Sequence, residues 1–258
     1  GFILGPALGG LLSHYGYSTP ILFAAGLTLL NFLYASWRLG DPIRPAHHEK
    51  PERLLRFLKD PYIRRMCACN FLFTVGVTQL EAIFAFFMMD RFGYDAAKVA
   101  YLLVMMAFIM VGIQGGLIKR LVLRFGEKNL LLAGGILLAG AFAALPSIHE
   151  IWILLLPLAV SAVGRGISQP SMMSLASKGA ADAHSGSVMG VFQASASLAR
   201  IFGPLVAGYL YDQKQFGPFL LAAAMMLLVF LLSLGIPLGL RRNSLNGMAA
   251  EGANLSTS

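Results

Sequence analysis

The chain carries the same hydrophobic segment twice, in one register, and that limits what it can become. Gly5-Pro6-Ala7-Leu8-Gly9-Gly10 returns as Gly203-Pro204-Leu205-Val206-Ala207-Gly208, and Pro6 to Pro204 and Pro20 to Pro218 are both 198 residues apart. After the second proline of each copy, Leu22, Ala24, Ala25, Leu29, Leu30, Phe32 and Leu33 are matched by Leu220, Ala222, Ala223, Leu227, Leu228, Phe230 and Leu231. Apolar composition alone scatters Leu and Ala matches. It does not place two prolines and the flanking glycines in one frame. The sequence therefore reads as two related helix pairs near the ends of two long repeats.

The material between the repeats is membrane-like. Hydrophobic residues make up 57% of the chain and charged residues 12%, about half the charged share of a soluble domain. Several apolar runs reach the roughly 20 residues that a helix needs to cross a bilayer. They are continuous rather than alternating, which excludes a β-barrel. The spacing predicts the end of one helix over residues 1–12, a second helix over 20–38, and further helices over 66–89, 98–119, 129–147, 151–175, 186–210 and 217–240. The expected organisation is a helix pair in 1–38, a polar linker in 39–65, a six-helix bundle in 66–240 and a polar tail in 241–258. Because Gly1 falls inside an apolar stretch, the chain is expected to begin within a membrane helix.

The net charge of +8 is distributed by loop. The linker, Lys119, Arg120, Arg124, Lys128, Lys178, Arg241 and Arg242 all fall on one side of the membrane, against Arg91, Lys98 and Lys214 on the other. The positive-inside rule puts the rich side, with linker and C-terminus, in the cytoplasm of a multi-pass protein of the cell membrane. This pattern gives no reason to expect nucleic acid. Within the linker, Leu54, Leu55, Phe57 and Leu58 lie among Arg53, Arg56 and Lys59, which fits either a short interfacial helix or a solvated strand of linker. Cys67 and Cys69, two apart on a helix, point to different faces and do not bridge. No zinc spacing is present, and no metal or cofactor is expected.

With the repeat and the helix count in hand, the chain resembles the major facilitator superfamily, and in particular the proton-coupled drug antiporters of the tetracycline-resistance type. The resemblance implies an all-α polytopic membrane protein of twelve helices in two bundles. Residues 1–38 would be helices five and six, 66–240 helices seven to twelve, and the first four helices would be missing. Gly1-x-x-x-Gly5-Pro6-x-x-Gly9-Gly10 resembles the latter part of the antiporter motif on helix five. Physically, glycines four apart let another backbone approach, and Pro6 removes an N–H and bends the helix. Gly203, Pro204 and Gly208 would do the same in the second copy. Arg124, Gly126 and Lys128 resemble the family's basic cytoplasmic loop. There Leu123 replaces the usual aspartate and Lys119 the usual glycine. Gly164-x-Gly166-x-x-x-Pro170 is similar to the helix-ten pattern, where Gly and Pro permit a kink.

Polar residues on the apolar helices form stripes. Asn70, Thr74, Thr78 and Glu81 fall within an arc of about 80°; Ser161, Arg165 and Ser168 form a second stripe, and Gln193, Ser197 and Arg200 a third. With Gln114, they are candidates to line a wet cavity, or to join helices to one another. Each charge at the bilayer centre costs roughly 2.5–3.5 kcal/mol on insertion scales. Glu81, Arg165 and Arg200 are therefore the candidates for proton coupling and substrate contact. Glu81 reads either as a carboxyl that binds and releases protons or as half of a structural ion pair. Depth counted from the expected helix ends pairs it with Arg200 in the outer half and leaves Arg165 in the inner half. Phe71, Phe73, Phe84, Phe86 and Phe87 either meet lipid and neighbouring helices or offer a surface to a lipophilic molecule.

The expected function is secondary active transport, with protons and a small lipophilic or drug-like molecule as partners, in a monomer working by alternating access. Export in antiport is implied by the helix-five motif; uptake in symport, or facilitation, by the same fold is the alternative. An enzyme is not expected: there is no zinc-binding His pair on a helix and no phosphate-binding Gly-Lys loop, and His47-His48 lie in the linker.

Overall fold

The computed structural model describes residues 8, 9, 12, 16, 18–38, 58–179 and 185–236. All the regular structure in that set is helical. The helices are α1 (Ser18–Arg38), α2 (Pro61–Phe92), α3 (Ala96–Gly112), α4 (Ile118–Phe125), α5 (Glu127–Ala144), α6 (Ile151–Lys178), α7 (Ser185–Gln213) and α8 (Gly217–Leu234). A π-helical turn, Ile113–Leu117, joins α3 to α4, and a 3₁₀ turn, Leu145–Ser147, closes α5. Six spans among the described residues, Ala96–Phe125 counted as one, are long and apolar enough to cross a membrane. Gly1, Gly5, Pro6 and Gly10, the linker through residue 57, and residues 237–258 lie outside the described residues.

Local chemistry sets the helix ends. Asp60 caps α2: its carboxylate accepts from the Tyr62 and Ile63 amides, and Pro61 sits where a missing N–H is harmless. This Asp-Pro start lies five residues inside the stretch read as linker. Gly93, at φ 64°, ends α2 in the left-handed conformation, and Gly126, at φ 78°, makes the turn from α4 to α5. The second helix of each repeat begins in step: Ser18 opens α1 and Gly217 opens α8, within one residue of the 198-residue offset.

α2 is central, packed along α7 and α8; α5 joins α8 to α6, and α6 carries α3. Small residues fix these crossings. A Cβ on Gly203 of α7 would overlap Thr78 Oγ1 and lie 3.2 Å from the Val75 carbonyl of α2. On α5, Gly134 faces Gly164 of α6, and Gly135 faces Phe230 and the Met226 carbonyl of α8. Adjacent glycines thus let one helix approach two neighbours, where dispersion and backbone contact replace the hydrophobic drive that lipid removes. A Cβ at Gly208 or Gly9 would meet nothing within 4 Å, so the close approach at Gly203 has no counterpart at either position.

At the basic end the helix termini are tied together. Tyr62 donates to the Leu175 carbonyl (2.8 Å), and Glu127 pairs with Lys178 and accepts from Ser174. Lys128 donates to the Leu234 and Ile236 carbonyls (2.9 and 2.5 Å), and Arg65 to the Gly235 carbonyl. These two cations satisfy carbonyls that the end of α8 leaves without partners. Lys128, read as part of a loop motif, has a definite structural task.

Candidate functional site

Glu81 and Arg165 meet across the bundle. Arg165 Nη2 donates to Glu81 Oε1 at 2.5 Å. Their side chains differ in exposure, 10% for Arg165 and 43% for Glu81. The guanidinium is held inside the protein, and the carboxylate stands at the edge of open space.

That space is a cavity of about 240 Å³ lined by Glu81, Phe84 and Ala85 of α2, Val99, Leu103, Met106, Ala107 and Met110 of α3, and Arg165 of α6. Its wall is apolar except for the ion pair. Such a surface accepts hydrophobic molecules with little directional demand, and methionines adapt to shape. Of the five phenylalanines considered on this helix, only Phe84 lines the cavity; Phe73 and Phe87 are buried in the core, and Phe86 is exposed.

Gly164 and Gly166 explain how Arg165 is placed. A Cβ at Gly164 would crowd Leu138 of α5, and one at Gly166 would sit 3.3–3.4 Å from Ile113 at the π-turn. α6 is thereby wedged between α5 and the α3 turn, with Arg165, between the two glycines, turned to the cavity. The Gly-x-Gly pattern serves close packing here. Ile113 makes this contact from the start of the π-turn, where an extra backbone unit shifts the helix faces.

The structure corrects the expected pairing: Glu81 is bonded to Arg165, and Arg200 is exposed on α7. Depth does not separate the two arginines. Counted from the opposite end, Glu81 is 11 residues in (92 − 81), Arg165 14 (165 − 151) and Arg200 13 (213 − 200). Direction around the helix axis decides, and that depends on which helices are neighbours.

The remaining stripe residues divide. Asn70 is buried and donates to the Phe192 carbonyl (2.8 Å) and Ser195 Oγ (3.2 Å), clipping α2 to α7. Thr78 bonds back to the Thr74 and Val75 carbonyls at the Gly203 crossing. Ser161 bonds to the Leu158 carbonyl, and Ser168 Oγ is buried with no hydrogen-bond partner beside Gly134. Asn70, Thr78, Ser161 and Ser168 thus sit inside helix packing, not on the cavity wall. Gln193, Ser197 and Arg200 are exposed along one side of α7, with Ser197 donating to the Gln193 carbonyl (3.1 Å), and Gln114 is exposed in the π-turn. Pro204 lies inside α7 and is exposed.

Some contributors escaped the sequence reading. Gln79 is fully buried between α2 and α8, its amide near Met225 Sδ (3.8 Å) and its Oε1 without a hydrogen-bond partner. One residue from a stripe, it reads as off-face in a helical projection. At the end opposite the basic one, Arg91 meets the Pro146 carbonyl (3.2 Å) and His149 Nε2 (2.7 Å), and Tyr211 donates to Asp90 (2.8 Å). Loop contacts of this kind have no periodic signature. Among the described residues no group of His, Cys, Asp and Glu is arranged to hold a metal ion.

A family model described as Major Facilitator Superfamily matches residues 1–204 and, in a second overlapping match, 116–251. Tetracycline resistance protein, class D, of Salmonella ordonez is 28% identical over 226 residues, covering 83% of this chain and 56% of that protein. Multidrug resistance protein 1 of Bacillus subtilis (strain 168) is 27% identical over 229 residues, covering 86% of this chain and 58% of that protein. Among solved structures, the human organic anion transporter MFSD10 (TETRAN) superposes with a TM-score of 0.70 at 25% identity, over 90% of this chain and 60% of that one. The chain spans a little over half the length of the curated relatives it matches.

Proposed function

This chain belongs to the Major Facilitator Superfamily, and from that premise we propose that the protein exports small lipophilic molecules across the cell membrane in exchange for protons. The observation that carries the proposal is the Glu81–Arg165 pair on the wall of an otherwise apolar cavity. The apolar wall takes up the hydrophobic body of a substrate. Glu81, open to the cavity and tied to a guanidinium that keeps its charge, is the group that exchanges a proton. Protonation removes its attraction for Arg165, so proton binding and the position of α6 against α2 are linked. Two bundles rocking about this depth would expose it to either side in turn. In this reading the basic end, with linker and C-terminus, faces the cytoplasm, and the transporter acts as a monomer. Tetracycline and multidrug resistance relatives support export as the direction.

A second reading rests on Arg165. When Glu81 is protonated, a buried guanidinium is left to receive an organic anion, so proton and anion bind together and travel in symport. The structural likeness to an organic anion transporter accords with it.

The test is Glu81→Gln in the full-length protein, reconstituted in vesicles. Antiport predicts that an outward proton gradient, acid inside the vesicle, no longer drives substrate accumulation, while substrate counterflow without a gradient continues. Gradient-driven transport at the wild-type rate removes Glu81 from the mechanism. Substrate moving with the protons in the wild type selects symport.

A further inference from the structure

We propose that the outward face of α4 binds anionic phospholipid headgroups at the basic end of the bundle. The span Ala96–Phe125 is one run of 30 residues. At 1.5 Å per residue it is about 45 Å long, against a hydrocarbon core of about 30 Å. Its opposite end is set by Asp95, which caps α3 through the Lys98 amide. The last turns, which are α4, therefore emerge at headgroup depth.

The faces of α4 are segregated. Ile118, Leu121 and Val122 are half-buried on the side facing the bundle. Lys119, Arg120 and Arg124 are exposed on the other side, with Leu123 at 72% exposure among them. None of the three cations makes an ion pair among the described residues; Arg124 lies over the Phe125 ring at 5.5 Å. Lys128 and Lys178, close by in sequence or space, are engaged with the α8 carbonyls and Glu127. Three free cations around one exposed leucine, at this depth, fit a lipid surface: the charges meet phosphates and the leucine enters the acyl boundary. The chemistry selects an anionic headgroup over a zwitterionic one, because only the former leaves net negative charge for the cations. Each cation near such a surface strengthens association roughly fivefold, and three together roughly a hundredfold.

The experiment uses the full-length protein and matched phosphatidylglycerol and phosphatidylcholine. Native mass spectrometry compares retention of the two lipids by the wild type, by the triple variant Lys119→Gln/Arg120→Gln/Arg124→Gln, and by Lys98→Gln at the opposite end. The expected result is a phosphatidylglycerol preference of tenfold or more that the triple variant loses, Lys98→Gln keeps and high salt weakens. A triple variant that folds and keeps the preference overturns the proposal, as does a wild type without one. Should the triple variant fail to insert, Leu123→Trp with all cations intact decides the matter. Brominated phosphatidylglycerol should quench its fluorescence more than brominated phosphatidylcholine does. Equal quenching refutes headgroup selection. Quenching by neither means that protein, such as a carboxylate of another bundle, covers this face, and refutes the proposal too.

Discussion

Removing one member of the Glu81–Arg165 pair should not cost the same from the two sides. The charge centres are roughly 4 Å apart, which at an effective dielectric constant of about 20 corresponds to about 4 kcal/mol of attraction. Water reduces that, because the Glu81 side chain is 43% exposed; exposed pairs retain only about 0.2–1 kcal/mol, and one-sided breakage of fully buried pairs costs about 3–5 kcal/mol. This pair lies between the limits, and a coupling of about 1–2 kcal/mol is expected. Arg165→Leu leaves a carboxylate that water can reach and places an apolar side chain beside Met106 and Met110, so it should cost less than about 1 kcal/mol. Glu81→Gln leaves a guanidinium at 10% exposure facing only a neutral amide, and should cost about 2–3 kcal/mol. The double variant should recover part of that loss. Equilibrium unfolding of the full-length protein in detergent, as a double-mutant cycle, measures all three. Additivity within about 0.5 kcal/mol, or a larger loss for Arg165→Leu than for Glu81→Gln, refutes the view that this contact is a working ion pair with one buried end.

Further outcomes follow from the packing. Gly134→Ala should destabilise by about 1–3 kcal/mol, since its Cβ overlaps Ser168 Oγ and lies 3.0 Å from the Gly164 carbonyl; Gly140→Ala, on the same helix with nothing within 4 Å, should stabilise by up to about 1 kcal/mol, and thermal unfolding compares them. Asn70→Ala removes two donations that join α2 to α7 and should cost about 1–3 kcal/mol without changing the pH dependence of transport; a shifted pH profile would return Asn70 to the cavity. Lys128→Met should loosen the end of α8, raising hydrogen exchange at residues near Leu234, whereas unchanged exchange there would deny it the capping role.

Much of the fold was readable along the chain because a bilayer imposes simple requirements: long apolar runs and internally bonded backbone. Boundaries were less readable. Tyr62, Arg64 and Arg65 look like linker, yet Asp60 and Pro61 start the helix before them. A helical projection groups polar residues into stripes, but it treats Asn70 and Glu81 alike. One is sealed against α7 and the other opens on the cavity.

The sequence by itself determined the class of molecule and the presence of costly charges within the helices, for each follows from local composition and spacing. Tertiary structure alone decided which arginine answers Glu81, which serines and threonines lie inside packing, and what Lys128 and the glycine pairs hold. The reason is geometric. Periodicity gives direction around one helix axis, whereas partnership depends on which second helix stands in that direction, and here glycine contacts at the crossings set that choice.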